Sequence, residues 1–310
     1  ARSVPSDRLA AASPDLVVTA GDVIADPVAV ARRVAALGDA QRLAPSRLPR
    51  LARRRATGAR RRVTTSPLRD GLVVVLGAAR SGTTWLHRLL SANSMIAGTE
   101  TGETWLFPDV APVWAEPIRE FAGDAATLSA MRVFCDDLLV AMRDRVAPAA
   151  THVCEKTPTT AWQLPVLAQL YPDAHYVHIV RDGRDAALSL ALTRGHDADL
   201  GDAAREWVEA VSAIRAAADG LPRFQQVRYE ELLADPTAVA TELWSWIGVP
   251  ATDQSMAELQ SRTSQRVTPL PARGEIGAGK WRSLPPADRA LVEQLAGPLL
   301  QDLGYEEVGS

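Results

Sequence analysis

The chain has 310 residues, of which 47% are apolar and 23% charged, and a net charge of −3. That is enough apolar material for one full core and an ordinary charge content for a soluble globular chain. No apolar run approaches the roughly 18 residues of a membrane span. Ala1–Ala20 is broken by Pro5, Asp7, Pro14 and Asp15, and so does not read as a secretory leader. Two cysteines, Cys135 and Cys154, cannot build a disulfide framework or a four-thiolate zinc site. The expectation is a cytoplasmic protein.

Residues 1–65 read as a helical, Arg-rich accessory segment. Asp26-Pro27 is a helix-start signal, and Val30, Val34 and Leu37 follow at i, i+4 and i+7. Gln41–Val63 then holds nine arginines and no acid. A basic run of this kind can bind nucleic acid or an acidic partner. Nothing in Arg42–Arg62 has the spacing of a nucleic-acid-binding motif, so it reads as a solvated face and no nucleic-acid partner is expected.

Residues 66–310 form the second region. Leu72–Leu76 (LVVVL) is an unbroken, largely β-branched run, as expected of a parallel strand buried on both faces, and Thr83–Ser91 follows with helical spacing. Further strands are predicted at Thr151–Glu155, His175–Val180 and Phe224–Tyr229. Helices are predicted at Ala125–Arg145, Ala161–Leu170, Ala186–Leu192, Asp202–Ala218 and Pro236–Ile247. The alternation implies an α/β fold with a central parallel β-sheet flanked by helices, whose ligands bind beyond the carboxyl ends of the strands.

Two constellations fall at those ends. Gly77-Ala-Ala-Arg80-Ser81-Gly82-Thr83-Thr84-Trp85 has the GxxxxG frame of a phosphate loop, with Thr83-Thr84 where an ATPase carries Lys-Ser/Thr. Gly82 permits a tight turn, and the amides and hydroxyls of Ser81–Thr84 can converge on a phosphate at a helix N-terminus. The missing lysine argues against γ-phosphate transfer. In the second constellation Arg181 ends a buried strand and Ser189 lies eight residues on, a fork-shaped cation and a hydroxyl suited to a second phosphate. Read alone, Arg181 and Arg184 could equally pair with Asp182 and Asp185. Two anion sites at strand ends suit a nucleotide phosphorylated at separate positions.

With these residues in view, the chain resembles the sulfotransferase family that uses 3′-phosphoadenosine 5′-phosphosulfate (PAPS). Arg80-Ser-Gly-Thr-Thr-Trp-Leu86 is similar to the family's 5′-phosphosulfate loop, and Arg181 to Ser189 to its 3′-phosphate motif. Val227-Arg-Tyr229-Glu230 looks like its tyrosine–glutamate segment, and Glu155-Lys156-Thr157-Pro158 and Gly277-Ala-Gly-Lys280-Trp281 also fit. Arg80, Gly102-Glu103-Thr104 and Lys280-Trp281 place it nearer the tyrosylprotein sulfotransferase branch and its bacterial relatives, whereas Trp85 matches the cytosolic enzymes, where it stacks on adenine.

The resemblance implies a P-loop nucleotide kinase-like sulfotransferase fold over residues 66–310. It implies PAPS as cofactor, adenosine 3′,5′-bisphosphate as product and no metal. Ser81, Gly82, Thr83, Thr84 and Trp85, with Arg80, would form the 5′ side of the cofactor site. Arg181 and Ser189 would hold the 3′-phosphate, Tyr229 would lie near the adenosine, and Lys280 and Trp281 would close over the cofactor. Arg80 and Lys156 would meet the charge of an in-line sulfuryl transfer. Glu103 is the candidate general base, tuned by burial beside Trp105 and Phe107, and Glu100 competes with it. The acceptor is expected to be a small-molecule alcohol or phenol and the source bacterial. Trp105, Trp114 and Trp162 are candidates for an apolar acceptor pocket. The alternative is a nucleotide-dependent kinase with a degenerate P-loop, using Asp182 as a magnesium ligand. His87 and His178 read as core histidines, and His196 could touch substrate.

Overall fold

A computed structural model describes residues 66–68, 70–99, 102–110, 123–195, 199–264 and 277–305. The expectations for residues 1–65, Glu100, Trp114 and His196 lie outside the described residues.

Strand β1 (Leu72–Leu76) is buried along its whole length. It sits at the centre of a five-stranded parallel sheet with β2 (Ile96–Ala97), β3 (His152–Glu155), β4 (His175–Val180) and β5 (Phe224–Arg228), in the order β2-β3-β1-β4-β5. Val74 pairs with Glu155 of β3 and with Tyr176 of β4. The period-2 alternation of β1 splits the core in two. Leu72, Val74 and Leu76 face one side and Val73 and Val75 the other. Helices α1 (Thr83–Leu90) and α7 (Pro236–Ile247) cover the Val73 face. The Val74 face is covered by α2 (Asp124–Val146), α3 (Leu164–Leu170), α4 (Gly183–Arg194), α5 (Leu200–Ala218) and α9 (Pro286–Asp302). Each Val or Leu buried in this way contributes about 1.5–3 kcal/mol.

The predicted strands and helices are present, with local differences. Tyr229 belongs to a short helix, α6 (Tyr229–Ala234), because the Arg228 N–H donates to Glu231 Oε2 and starts a helix where a continued strand was expected. The helix expected over Ala161–Leu170 begins as a tight 3₁₀ turn, Pro158–Gln163, before α3 takes over. Helices α4 and α5 start earlier than predicted because Asp182 and Asp199 accept from the Arg184 and Gly201 amides. Strand β2 and helices α6, α8 (Asp253–Ser264) and α9 were not predicted.

Strands β3, β1 and β4 end side by side, so the loops after Leu76, Glu155 and Val180 share one edge of the sheet. Among the described residues no helix is long and apolar enough to cross a membrane.

Candidate active site

The loop after β1 takes its shape from two residues with positive φ, Arg80 at 68° and Gly82 at 96°. The Ser81 amide donates to the Ala78 carbonyl at 3.1 Å, and α1 begins when Leu86 N–H reaches Gly82 O at 3.0 Å. The N-terminal amides of an eight-residue helix therefore open at the strand end, where they favour an anion. A Cβ on Gly82 would stand 2.6 Å from Tyr229 Cδ2, so the loop lies directly on the Tyr229 ring. Gly82→Ala is expected to destabilise the fold by about 1–2 kcal/mol from the left-handed backbone alone. The same change should also weaken nucleotide binding by displacing Tyr229. Thermal denaturation and calorimetry check both, and an unchanged affinity would separate the loop from nucleotide binding.

Arg181 reaches this loop from the end of β4. Its NH1 donates to Arg80 O at 3.0 Å and its NH2 to Gly277 O at 2.9 Å, while its guanidinium lies 4.5 Å over the Tyr229 ring. Arg80 Nε donates to Ser189 Oγ at 3.2 Å, so the two constellations meet across 109 residues of chain. Burial lowers the Arg80 pKa, and the nearby positive charge of Arg181 lowers it further. Asp185 lies 3.9 Å from Arg181 NH2. Ser81 Oγ and Arg181 Nε are buried without hydrogen-bond partners among the described residues. Two close cations and two orphaned donors fit the anionic groups of a nucleotide.

Pairing of Arg184 with Asp182 was the competing reading of the second motif, and Arg184 follows it. It holds both Asp182 oxygens, at 2.9 and 2.8 Å, and Glu293 at 2.7 Å. Asp185 does something else. It accepts from the Gly279 amide at 2.6 Å and the Trp281 amide at 2.9 Å, fastening the Lys280–Ser283 turn to α4. Trp281 is buried beneath Arg184, 3.8 Å from its ring centre, and so anchors this turn, with the half-buried Lys280 at its start. Trp85 is 9% exposed and meets Tyr229 edge-on at 6.2 Å, so most of its ring is spent on the core. Thr83 is buried and Thr84 half-buried in the first turn of α1.

The second half of the site hangs on β3. Lys156 is fully buried, and its Nζ donates to Glu103 Oε1 at 2.5 Å; Glu103 keeps 26% side-chain exposure. Lys156 N–H also donates to Gly102 O at 2.9 Å. Burial pulls the Lys156 pKa down, and the hydrogen bond and charge of Glu103 pull it back up. The immediate neighbour of Glu103 is thus this ammonium. Phe107 is buried, whereas Trp105 is 42% exposed and Trp162 39% exposed. Trp105 carries a positive φ of 54°, which is uncommon for a bulky side chain.

His87 joins the two halves from α1. Its Nε2 lies 3.3 Å from Cys154 O, and Cβ atoms at Gly98 and Gly102 would meet its ring at 2.6 and 2.7 Å. Burial lowers its pKa to about 3, which keeps the ring neutral. Cys135 and Cys154 are buried thiols, and burial raises the pKa of both. Sequence reading missed Asp185 as the clamp on the Gly279–Trp281 backbone and Glu155 as a buried acid; the second was signalled only by its place beside Lys156.

A family model described as Sulfotransferase family matches residues 73–253. The chain is 26% identical over 269 residues to protein-tyrosine sulfotransferase 1 of Danio rerio, covering 76% of this chain and 72% of the relative. It is 24% identical over 269 residues to protein-tyrosine sulfotransferase A of Caenorhabditis elegans, covering 78% and 68%. Its fold is that of the sulfotransferase domain from the Synechococcus PCC 7002 olefin synthase, with a TM-score of 0.53, 21% identity and coverage of 76% and 95%. With a matched region that holds both anion sites and the Glu103–Lys156 pair, the chain belongs to the sulfotransferase family.

Proposed function

We propose that the chain transfers a sulfuryl group from PAPS to a phenolic hydroxyl, with Glu103 as general base. The observation that carries this reading is the 2.5 Å contact between Glu103 and the buried Lys156, at the strand edge that also bears the Arg80–Arg181 pair. PAPS, when bound, supplies an activated sulfuryl group on a phosphate leaving group. The Ser81–Thr84 amides and Arg80 would hold its 5′ side, and Arg181 and Ser189 the 3′-phosphate. Glu103 takes the proton from the acceptor hydroxyl onto a carboxylate oxygen. Lys156 fixes that carboxylate and supplies a preorganised positive charge where negative charge develops. Phenolic acceptors are favoured by the exposed Trp105, two residues from Glu103, and by relatives named for protein tyrosine.

The kinase alternative needs Asp182 as a metal ligand. Both of its carboxylate oxygens are bound to Arg184, and Oδ1 also caps α4.

Calorimetric titration with adenosine 3′,5′-bisphosphate in EDTA, against ATP and AMP, tests the cofactor side. Micromolar or tighter binding, weakened by roughly 100-fold in Arg181→Ala, is expected when a charge-assisted fork to phosphate is lost. Preference for ATP would sink the reading. Turnover of 4-nitrophenol, a tyrosine peptide and an aliphatic alcohol then ranks the acceptors, and preference for the alcohol would count against a phenolic acceptor.

A further inference from the structure

Resting on the assignment of Glu103 as base, we propose that Glu155 is a positioning residue that laces the Glu103 segment to the end of β3 and so sets the alignment of Glu103 with Lys156. Its side chain is completely buried, so it acts through its neighbours and not on the acceptor. One oxygen, Oε1, accepts from Thr157 Oγ1 at 2.6 Å and from Thr104 Oγ1 at 3.1 Å. Those two hydroxyls in turn accept from backbone amides, Thr157 Oγ1 from Trp105 N–H and Thr104 Oγ1 from Leu106 N–H, both at 3.3 Å.

The pattern is that of two neighbouring chain segments buttoned together. Gly102 O takes the Lys156 amide, Glu103 takes the Lys156 ammonium, and Thr104 bonds to Glu155. Successive side chains of an extended chain point to opposite sides. Thr157 is extended, with φ −123° and ψ 123°, so Glu155 and Thr157 face one way and Lys156 the other. Trp105, held at positive φ, is anchored by its amide to Thr157, and releasing that bond lets the segment carrying Glu103 relax. Burial raises the Glu155 carboxyl to about 7 against the pull of Thr157, Thr104 and Lys156. Its Oε2 is buried with no hydrogen-bond partner among the described residues. An acid in such a place is costly, and the use it is put to is the pair of hydroxyl bonds on Oε1.

The test compares wild type, Glu155→Ala, Glu155→Gln and Thr157→Val by steady-state kinetics and by hydrogen exchange of the 102–106 backbone amides. Glu155→Ala is expected to lower kcat by roughly 10–100-fold, the scale of a misaligned catalytic group, with acceptor KM and bisphosphate affinity within about threefold. Glutamine keeps the accepting oxygen, so Glu155→Gln should recover most of the loss, and Thr157→Val should fall between the two. Exchange at Trp105 and Leu106 should rise in Glu155→Ala and be unchanged at Ser81–Thr84.

A folded Glu155→Ala with more than a third of wild-type kcat overturns the proposal. So does a glutamine variant as poor as alanine, or bisphosphate affinity falling in step with kcat. If the alanine variant does not fold, Thr157→Val and Thr104→Val, which leave the carboxyl in place, carry the same kcat-against-KM split. A wild type that turns over no phenol counts against the proposed function; the exchange comparison still decides the role of Glu155.

Discussion

Glu103→Gln is expected to cut kcat by roughly 10²–10⁴-fold, the range for removal of a general base. Adenosine 3′,5′-bisphosphate should bind with near-wild-type affinity. The two readouts separate because the residues proposed to hold the nucleotide lie after β1 and β4, whereas Glu103 meets Lys156 after β3. Glutamine preserves shape and can still meet Lys156 through its amide oxygen, so lost activity reports the lost proton acceptor. Lys156→Met is its companion. It removes a buried cation and should also lower kcat, through loss of charge stabilisation. Single-turnover measurements with saturating PAPS check both. A Glu103→Gln enzyme that retains wild-type turnover would end the assignment and turn attention to Glu100.

Acidification should cost several kcal/mol of stability between pH 7 and pH 5. Burial lowers the pKa of His87 to about 3, and of His175 and His178 to about 4. Between the ordinary histidine value of about 6.5 and those folded values, the unfolded chain binds protons that the native chain refuses, so stability falls as pH falls. Each histidine then contributes a loss of about 2 kcal/mol by pH 5. Glu155 acts in the opposite sense. Its raised pKa of about 7 means the native state holds a proton that the unfolded state releases above about 4.5, so acidification returns about 2 kcal/mol. Three groups against one leave a net loss of about 4 kcal/mol, a large share of the 5–15 kcal/mol typical of a domain. Denaturant titrations at pH 7 and pH 5 measure it, and His178→Leu should shrink the drop noticeably. Equal stability at the two pH values would mean that these rings take up protons in the folded chain.

Much of the fold was written locally. The LVVVL run of β1, the apolar run of β4 and Pro236–Ile247 were read with the bounds they have in the structure. Where the reading failed, the signal was weak or non-local. Strand β2 is two residues long, too short for any alternation to show. Helix α8 is dominated by polar residues, and α9 carries Pro298 in its interior, which masks a helical pattern. At the site, the motifs marked Arg80, Arg181 and Ser189 as candidate anion ligands, but the bonds that join these residues span about a hundred residues and could not be read from either motif. The same holds for Glu103 and Lys156, 53 residues apart, whose meeting depends on β2 lying in register beside β3. Asp185 looked like a partner for arginine; it lies 3.9 Å from Arg181 and is also a backbone anchor, because a carboxylate accepts equally well from amides.

The central place of β1 has a consequence for how this chain can change. Drift at Trp105 and in residues 158–162 alters the surroundings of the Glu103 segment without touching Glu103, the hydroxyls that hold its segment or the strand that carries Arg181. On the proposed assignments, new acceptor preferences can therefore be selected, in nature or in a library, while the residues assigned to the nucleotide stay constant.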